Sequence, residues 1–297
     1  MKRVILAILA LCALCSCGKW TETKSVDVVV DHPWDQNSAL WEEYLQNLVA
    51  YKASSHYIFY ALYENNPASA TSEASRMRSL PDSLDFVALT NADNFSEFDA
   101  EDMEWMNSIG TKVLYRIDLD SFADASSLST YLDKVIASVA DNGLAGYALA
   151  GTYILGDETV AAKASTAVSK LAAAKKSGQY LTFEGNPSYF QASDRASVDY
   201  FILDTWEATN VLEAYLTVKD AENNAGVAAN KILLASALGS TITDETNSKV
   251  DAPETLCDKV VAFGPLAGFA LDSVASDYYH ADGTYTVTRS LIHLLNP

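Results

Sequence analysis

Cysteine is scarce in this 297-residue sequence, and the positions of its four cysteines exclude a disulfide-stabilised fold. Three of them lie within the first 17 residues, which leaves Cys257 as the one cysteine in the body of the chain. A single thiol cannot form an internal disulfide framework. No histidine lies near Cys257 in the sequence, so we expect it to be a buried, inert thiol rather than a nucleophile.

Positive charge is also sparse. The chain contains 20 lysines and arginines against 39 aspartates and glutamates, a net charge of −19. This excess of negative charge would repel both a phosphate backbone and an anionic membrane surface, so nucleic acid is excluded as a partner. A neutral ligand remains compatible with the charge, although the need for solubility alone explains most of it.

The sequence lacks the patterns of metal and nucleotide sites. The four histidines, His32, His56, His280 and His293, do not have the spacing of metal ligands. No glycine-rich loop of the phosphate-binding type occurs, and no later stretch contains the roughly 20 apolar residues of a membrane-spanning helix. We therefore predict neither a metal nor a cofactor.

The first residues resemble an export signal. Lys2 and Arg3 precede a short apolar run, and the segment Leu14-Cys15-Ser16-Cys17-Gly18 resembles a bacterial lipoprotein box. The resemblance implies that residues 1–16 are removed and that the thiol of Cys17 is lipidated, so the protein would contact the membrane through this anchor only. An ordinary secretory signal cleaved nearby is the alternative.

Short apolar runs alternate with helical patterns along the rest of the chain, which is typical of βα units and a parallel sheet. Eight such runs in one domain predict a single-domain (β/α)8 TIM barrel over residues 51–297, preceded by a tether and leading helix over residues 17–50. The polar segment 241–253 is predicted to be an extended loop. The predicted strands are Tyr57–Tyr63, Leu84–Thr90, Lys112–Asp118, Ala145–Thr152, Tyr180–Glu184, Val198–Asp204, Ile232–Ala237 and Leu266–Asp272.

The fourth strand carries a family resemblance. Family 18 glycoside hydrolases, which include chitinases and endo-β-N-acetylglucosaminidases, have the pattern D-G-x-D-x-D-x-E on this strand. Here the glycine, Gly146, is present, but Ala145, Ala148, Ala150 and Thr152 stand at the four acidic positions. Because alternate residues of a strand face the same side, we expect Ala148, Ala150 and Thr152 to point together into the barrel. With the lipoprotein-like start and the tail from Tyr285 to Pro297, the chain resembles the family-18-like lipoproteins of gut Bacteroidetes. A misregistered alanine-rich strand is the alternative.

The resemblance implies a barrel that has lost its catalytic acids. In the family, the last glutamate protonates the glycosidic oxygen and the preceding aspartate orients the substrate acetamido group. Neither Thr152 nor Ala150 can perform these roles. Glu184 and Asp204, at the ends of adjacent predicted strands, are the best candidates for a replacement acid pair, although a carboxylate at a strand end more often caps a helix.

Sugar binding would require aromatic platforms and polar side chains near the strand ends. We expect a non-catalytic, outer-membrane glycan-binding lipoprotein that presents oligosaccharides, for example GlcNAc-containing N-glycans, to an outer-membrane glycan importer. The cell surface is the expected location, with the periplasmic face as the alternative. An active hydrolase with displaced acids and a purely structural protein of an import complex are the rival hypotheses. The candidate ligand-binding residues are Tyr60, Asn91, Arg116, Asp204, Trp206, Asp272 and Tyr278.

Overall fold

The computed structural model describes residues 36–65 and 72–297. The predicted signal segment, the lipidation site Cys17 and most of the predicted tether lie outside these residues. Within the described part of the chain, no helix is both long and apolar enough to cross a membrane.

Eight parallel strands close into a barrel in the order β1-β10-β7-β6-β5-β4-β3-β2, which confirms the predicted fold. The barrel lies within one compact unit, Tyr44–Pro297. Each strand falls inside its predicted run, and most differences are at strand ends. The barrel strands are β1 Ile58–Tyr63, β2 Phe86–Leu89, β3 Lys112–Asp118, β4 Gly146–Ala150, β5 Tyr180–Glu184, β6 Tyr200–Ile202, β7 Ile232–Ala237 and β10 Gly268–Asp272.

The described residues contain eight α-helices, and most of them begin at a polar cap. Ser96 and Asp99 form a capping box at the start of α2, and Asp124 caps α3 through the amides of Ser126 and Ser127. The helices are α1 Ser38–Ala53, α2 Glu97–Ser108, α3 Ala125–Asp141, α4 Glu158–Ala174, α5 Ala192–Arg195, α6 Val211–Asn223, α7 Ala252–Phe263 and α8 Thr286–Leu295.

The prediction of an extended loop over residues 241–253 is wrong. Two short strands, β8 Thr241–Thr243 and β9 Lys249–Asp251, form an antiparallel hairpin there. The turn between them is held by Asp244, whose carboxylate accepts hydrogen bonds from the amides of Thr246 and Ser248. Three-residue strands are too short for alternation to be recognised in a sequence.

Side chains alternate between two buried clusters. The outer cluster packs the strands against the helices and includes Tyr147 and Leu149 of β4. The inner cluster fills the barrel and includes Ala148 of the same strand. The residues that face inward at the carboxyl ends of the strands therefore form the mouth of the barrel, where ligands of this fold bind.

Candidate functional site at the barrel mouth

Strand β4 presents small side chains to the interior, as the sequence predicts. Ala148 is completely buried in the inner cluster, and Ala150 is 6% exposed at the end of the strand. Gly146 has φ +136°, and a Cβ at this position would lie 2.0 Å from the carbonyl oxygen of Tyr180. Glycine is therefore required at this position of the motif by close backbone packing between β4 and β5.

Thr152 does not lie inside the barrel, contrary to our expectation. Strand β4 ends at Ala150, and Thr152 is exposed two residues later. Its backbone amide donates a hydrogen bond to Oδ2 of Asp120 at 2.8 Å. The chain turns out of the sheet here, so strand alternation cannot be extended to this position.

Arg116 and Glu184 form an ion pair at the mouth. Arg116 Nε donates to Glu184 Oε2 at 2.7 Å, although the two residues lie on β3 and β5, on either side of β4. In the register of the sheet, Arg116 lies beside Ala148 and Glu184 beside Ala150. The alanines therefore leave β4 without a side chain long enough to separate the two charges.

The second carboxylate oxygen of Glu184 is unsatisfied. Oε1 is buried and has no hydrogen-bond partner among the described residues, and the side chain is only 1% exposed. Burial raises the pKa of Glu184, and the nearby guanidinium of Arg116 offsets only part of that effect. A buried carboxyl group with one free oxygen is costly, which marks this position as a functional candidate.

Tyr60 is a packing residue rather than a sugar platform, so its predicted ligand-binding role is wrong. Its side chain is completely buried, its ring stacks on Phe86, and its hydroxyl lies 3.2 Å from Oγ1 of Thr182. Thr182, which was not among the predicted site residues, lies between Ala148 and Tyr200 in the register. Thr182 lies two residues before Glu184 on β5, so both side chains face the barrel interior. This alternation was the signal that could have identified Thr182.

Asp204 and Trp206 remain candidates for ligand contact. Both follow strand β6 and keep part of their side chains exposed. Trp206 packs against the inner cluster, so its ring belongs to the barrel interior rather than to the layer beneath α6. Burial and the charge of Glu207 raise the pKa of Asp204 to about 6. A hydrogen bond from the Asn186 backbone amide lowers this pKa, but only in part, because it favours the ionised carboxylate.

Three other predicted ligand contacts are engaged within the protein. The side chain of Asn91 bonds to the backbone of Asn65 and to Asn94. Asp272 Oδ1 accepts a hydrogen bond from the amide of Ser273 and acts electrostatically on Glu184. Tyr278 is partly buried against the outer cluster.

Other carboxylates near the mouth have structural roles. Asp157 caps α4 through the amides of Thr159 and Val160, and Asp118 accepts a hydrogen bond from the amide of Asp120.

Cys257 is buried, as predicted, and burial raises the pKa of its thiol to about 12. Within residues 36–65 and 72–297, no group of three histidine, cysteine, aspartate or glutamate side chains is arranged to hold a metal ion.

Residues 21–130 match the family model described as glycoside hydrolase family 18, BT1044-like. A selenomethionine-labelled variant of BT1044 has a TM-score of 0.72 and 15% identity, covering 89% of this chain and 95% of that one. The endo-β-N-acetylglucosaminidase from Cordyceps militaris gives 0.65 and 16%, covering 85% and 95%. A chitinase from Bacteroides thetaiotaomicron gives 0.58 and 12%, covering 81% and 96%.

At these identities the similarity to solved structures establishes the fold alone. No curated protein is significantly similar in sequence. The matched family model and the closed barrel together confirm the resemblance inferred from β4. The chain is similar to the BT1044-like glycoside hydrolases of family 18 over residues 21–130 and shares the barrel fold of family 18 enzymes.

Proposed function

We propose that this protein binds a GlcNAc-containing oligosaccharide at the mouth of its barrel without cleaving it. The observation that carries the proposal is the replacement of acids on β4, where Ala148 and Ala150 face the interior and Thr152 lies beyond the strand. An alanine offers no proton and no hydrogen bond, and a threonine hydroxyl is not a general acid near neutral pH.

The residues at the mouth support binding. Trp206 offers an indole face that remains partly exposed, and the Asp204 carboxyl lies two residues before it. An aromatic face and a nearby polar group are the usual elements of a sugar subsite. A doubly substituted variant of the Cordyceps enzyme, 17% identical, has been solved in complex with fucosyl-N-acetylglucosamine-Asn. This suggests the class of ligand to test first.

We also propose that the protein acts at the outer membrane, held by a lipid on Cys17, and delivers its ligand to a glycan importer. The lipoprotein-like sequence around Cys17 supports the anchor. The negative charge of the chain supports a neutral ligand rather than an anionic polymer.

A hydrolase with displaced acids is the second candidate, and Asp204 favours it. A carboxyl group with a pKa of about 6 is suited to donate a proton near neutral pH. Glu184 is less suited, because its carboxylate is buried and bound to Arg116. In this alternative Asp204 would be the general acid and Glu184 would orient Arg116 or a substrate group.

A binding assay combined with a cleavage assay separates the two candidates. A glycan array identifies the ligand, and isothermal titration calorimetry measures its dissociation constant. Mass spectrometry of an N-glycoprotein incubated with the protein then detects any released glycan. Binding without release supports the proposal, whereas release that Asp204→Asn abolishes establishes the hydrolase.

A further inference from the structure

A second cleft lies at the end of the barrel opposite the mouth. Its walls include the first residues of five strands, namely Ile58 of β1, Phe86 of β2, Lys112 of β3, Tyr180 of β5 and Tyr200 of β6. Two cavities of about 260 and 480 Å³ share His56 and Tyr200 and make up this cleft. The smaller cavity, of about 260 Å³, is the one that the charged residues line, and it is large enough only for a compact ligand.

The cleft concentrates positive charge in a protein that is otherwise strongly acidic. Lys52, His56 and Lys112 line it, and Asp85 is the one carboxylate among the described residues that does so. The Asp85 carboxylate is already engaged, because Oδ1 lies 2.8 Å from His56 Nε2 and Oδ2 accepts from the Phe59 amide at 2.8 Å. Asp85 is therefore not free to pair with either lysine.

The two lysines lack counterions. Among the described residues neither Lys52 nor Lys112 forms an ion pair, and the Lys52 ammonium donates only to the neutral Thr111 hydroxyl, at 2.6 Å. Burial lowers the pKa of Lys52 to about 8, an effect that Asp85 and Asp82 oppose from a distance. A partly desolvated ammonium without a counterion is unfavourable, and a bound anion would remove that cost.

The cleft also has an aromatic wall. Tyr180 and Tyr200 are partly exposed, and their rings are nearly parallel, with an interplanar angle of 22° and centroids 6.4 Å apart. An inorganic anion would leave these rings and most of the cleft volume unused. A ring-shaped ligand that carries a carboxylate would satisfy both the lysines and the aromatic faces.

We propose that this cleft binds a compact, carboxylate-bearing ligand of monosaccharide size, with Lys52 and Lys112 as its cationic contacts. A lysine acts as a point charge on a flexible stem, so two of them can approach one carboxylate from different strands or helices. The site is separate from the barrel mouth, and it does not depend on whether the mouth binds or cleaves a glycan.

Calorimetry with glucuronate, glucose and inorganic phosphate tests the proposal on the full folded chain. We expect saturable binding of glucuronate, no binding of glucose and weaker binding of phosphate. Loss of one charge-assisted contact in Lys112→Met should weaken glucuronate binding by about 10-fold or more. Lys134→Met, which removes an exposed lysine of α3, should leave it unchanged.

Lys52→Met provides a second variant, and circular dichroism shows whether each variant is folded. Glucuronate should also raise the melting temperature of the parent more than that of Lys112→Met, because a ligand stabilises only the state that binds it. Absence of glucuronate binding, equal binding of glucose, or equal affinities of the parent and both cleft variants would each overturn the proposal. Equal binding of phosphate and glucuronate would show an adventitious ion only.

Discussion

Arg116 Nε and Glu184 Oε2 meet at 2.7 Å from two strands that are separated by β4. The intervening positions of β4 are Ala148 and Ala150, which lie beside Arg116 and Glu184 in the register. Ala150 pairs with Glu184 in the register, so an aspartate at position 150 would place a second carboxylate beside that of Glu184, and the two negative charges would repel each other. The absence of acids on β4 and the presence of the ion pair are therefore parts of one arrangement.

Breaking this ion pair should destabilise the fold. Arg116→Met leaves the 1%-exposed Glu184 side chain without its counterion, and removing one partner of a buried pair costs about 3–5 kcal/mol. We expect the low end of that range, because Arg116 keeps 24% of its side chain exposed. The double variant Arg116→Met/Glu184→Gln should recover part of the loss. Urea denaturation measures both, and equal stability of Arg116→Met and the parent would contradict the assignment.

Asp204 should make stability fall as pH rises. Its pKa in the folded protein is about 6, above the ordinary 3.8, so the folded state holds a proton that the unfolded state has lost between these values. Ionising the half-buried carboxyl group therefore lowers the free energy of unfolding, by nothing below about pH 4 and by the full amount above about pH 6. After allowance for partial exposure, Asp204→Asn should gain about 1–2 kcal/mol over the parent at pH 7 and little at pH 4.

The control for this experiment is Asp282→Asn, which removes an exposed carboxylate elsewhere. Comparison of the two variants at pH 4 and at pH 7 separates the effect of the Asp204 site from that of removing any one negative charge. A pH-independent difference for Asp204→Asn would show that the pKa of Asp204 is the same in the folded and unfolded states, which would contradict the predicted shift.

Trp206 should contribute directly to glycan binding. Trp206→Ala is expected to weaken binding by about 1–3 kcal/mol, the cost of losing an aromatic stacking partner, with the fold intact. Tyr215→Ala removes a 37%-exposed tyrosine of α6 and, as the matched control, should leave glycan binding unchanged. A sharp fall in melting temperature with unchanged affinity in the folded fraction would instead identify Trp206 as a core residue.

Cys17→Ser should release the protein from membranes. The acyl chains on a lipoprotein cysteine supply most of its membrane affinity, and serine cannot carry them by the same thioether chemistry. Fractionation followed by immunoblotting measures the distribution. A variant that still sediments with the outer membrane would disprove lipidation at this residue.

The barrel could be predicted from the sequence because its strands are short apolar runs between helical patterns. The bounds of β3, β5 and β7 were predicted to the residue, and inward parity correctly placed Ala148 inside. Helix α7 begins inside the segment that was predicted to be a loop, although Asp251 as its cap and Pro253 in its first turn are recognisable signals. The preceding polar segment obscured them.

The site was less predictable because exposure and pairing depend on tertiary contacts. Tyr60 and Trp206 were both predicted to contact the ligand, yet Tyr60 is completely buried in the middle of β1 and Trp206 is partly exposed after β6. The Arg116–Glu184 pair joins two strands that are not neighbours, and only the barrel closure and the small residues between them bring it together. Thr152 was misplaced because alternation ends where the strand ends.

Incubation of the purified protein with a chitobiose-linked N-glycan tests the central proposal most directly. Calorimetry measures binding, and mass spectrometry measures release of the glycan over the same period. We expect saturable binding with no cleavage, since loss of a general acid alone costs about 10²–10⁴-fold in rate and β4 also lacks the supporting carboxylates. Cleavage by the parent protein that is lost in Glu184→Gln or Asp204→Asn would contradict it.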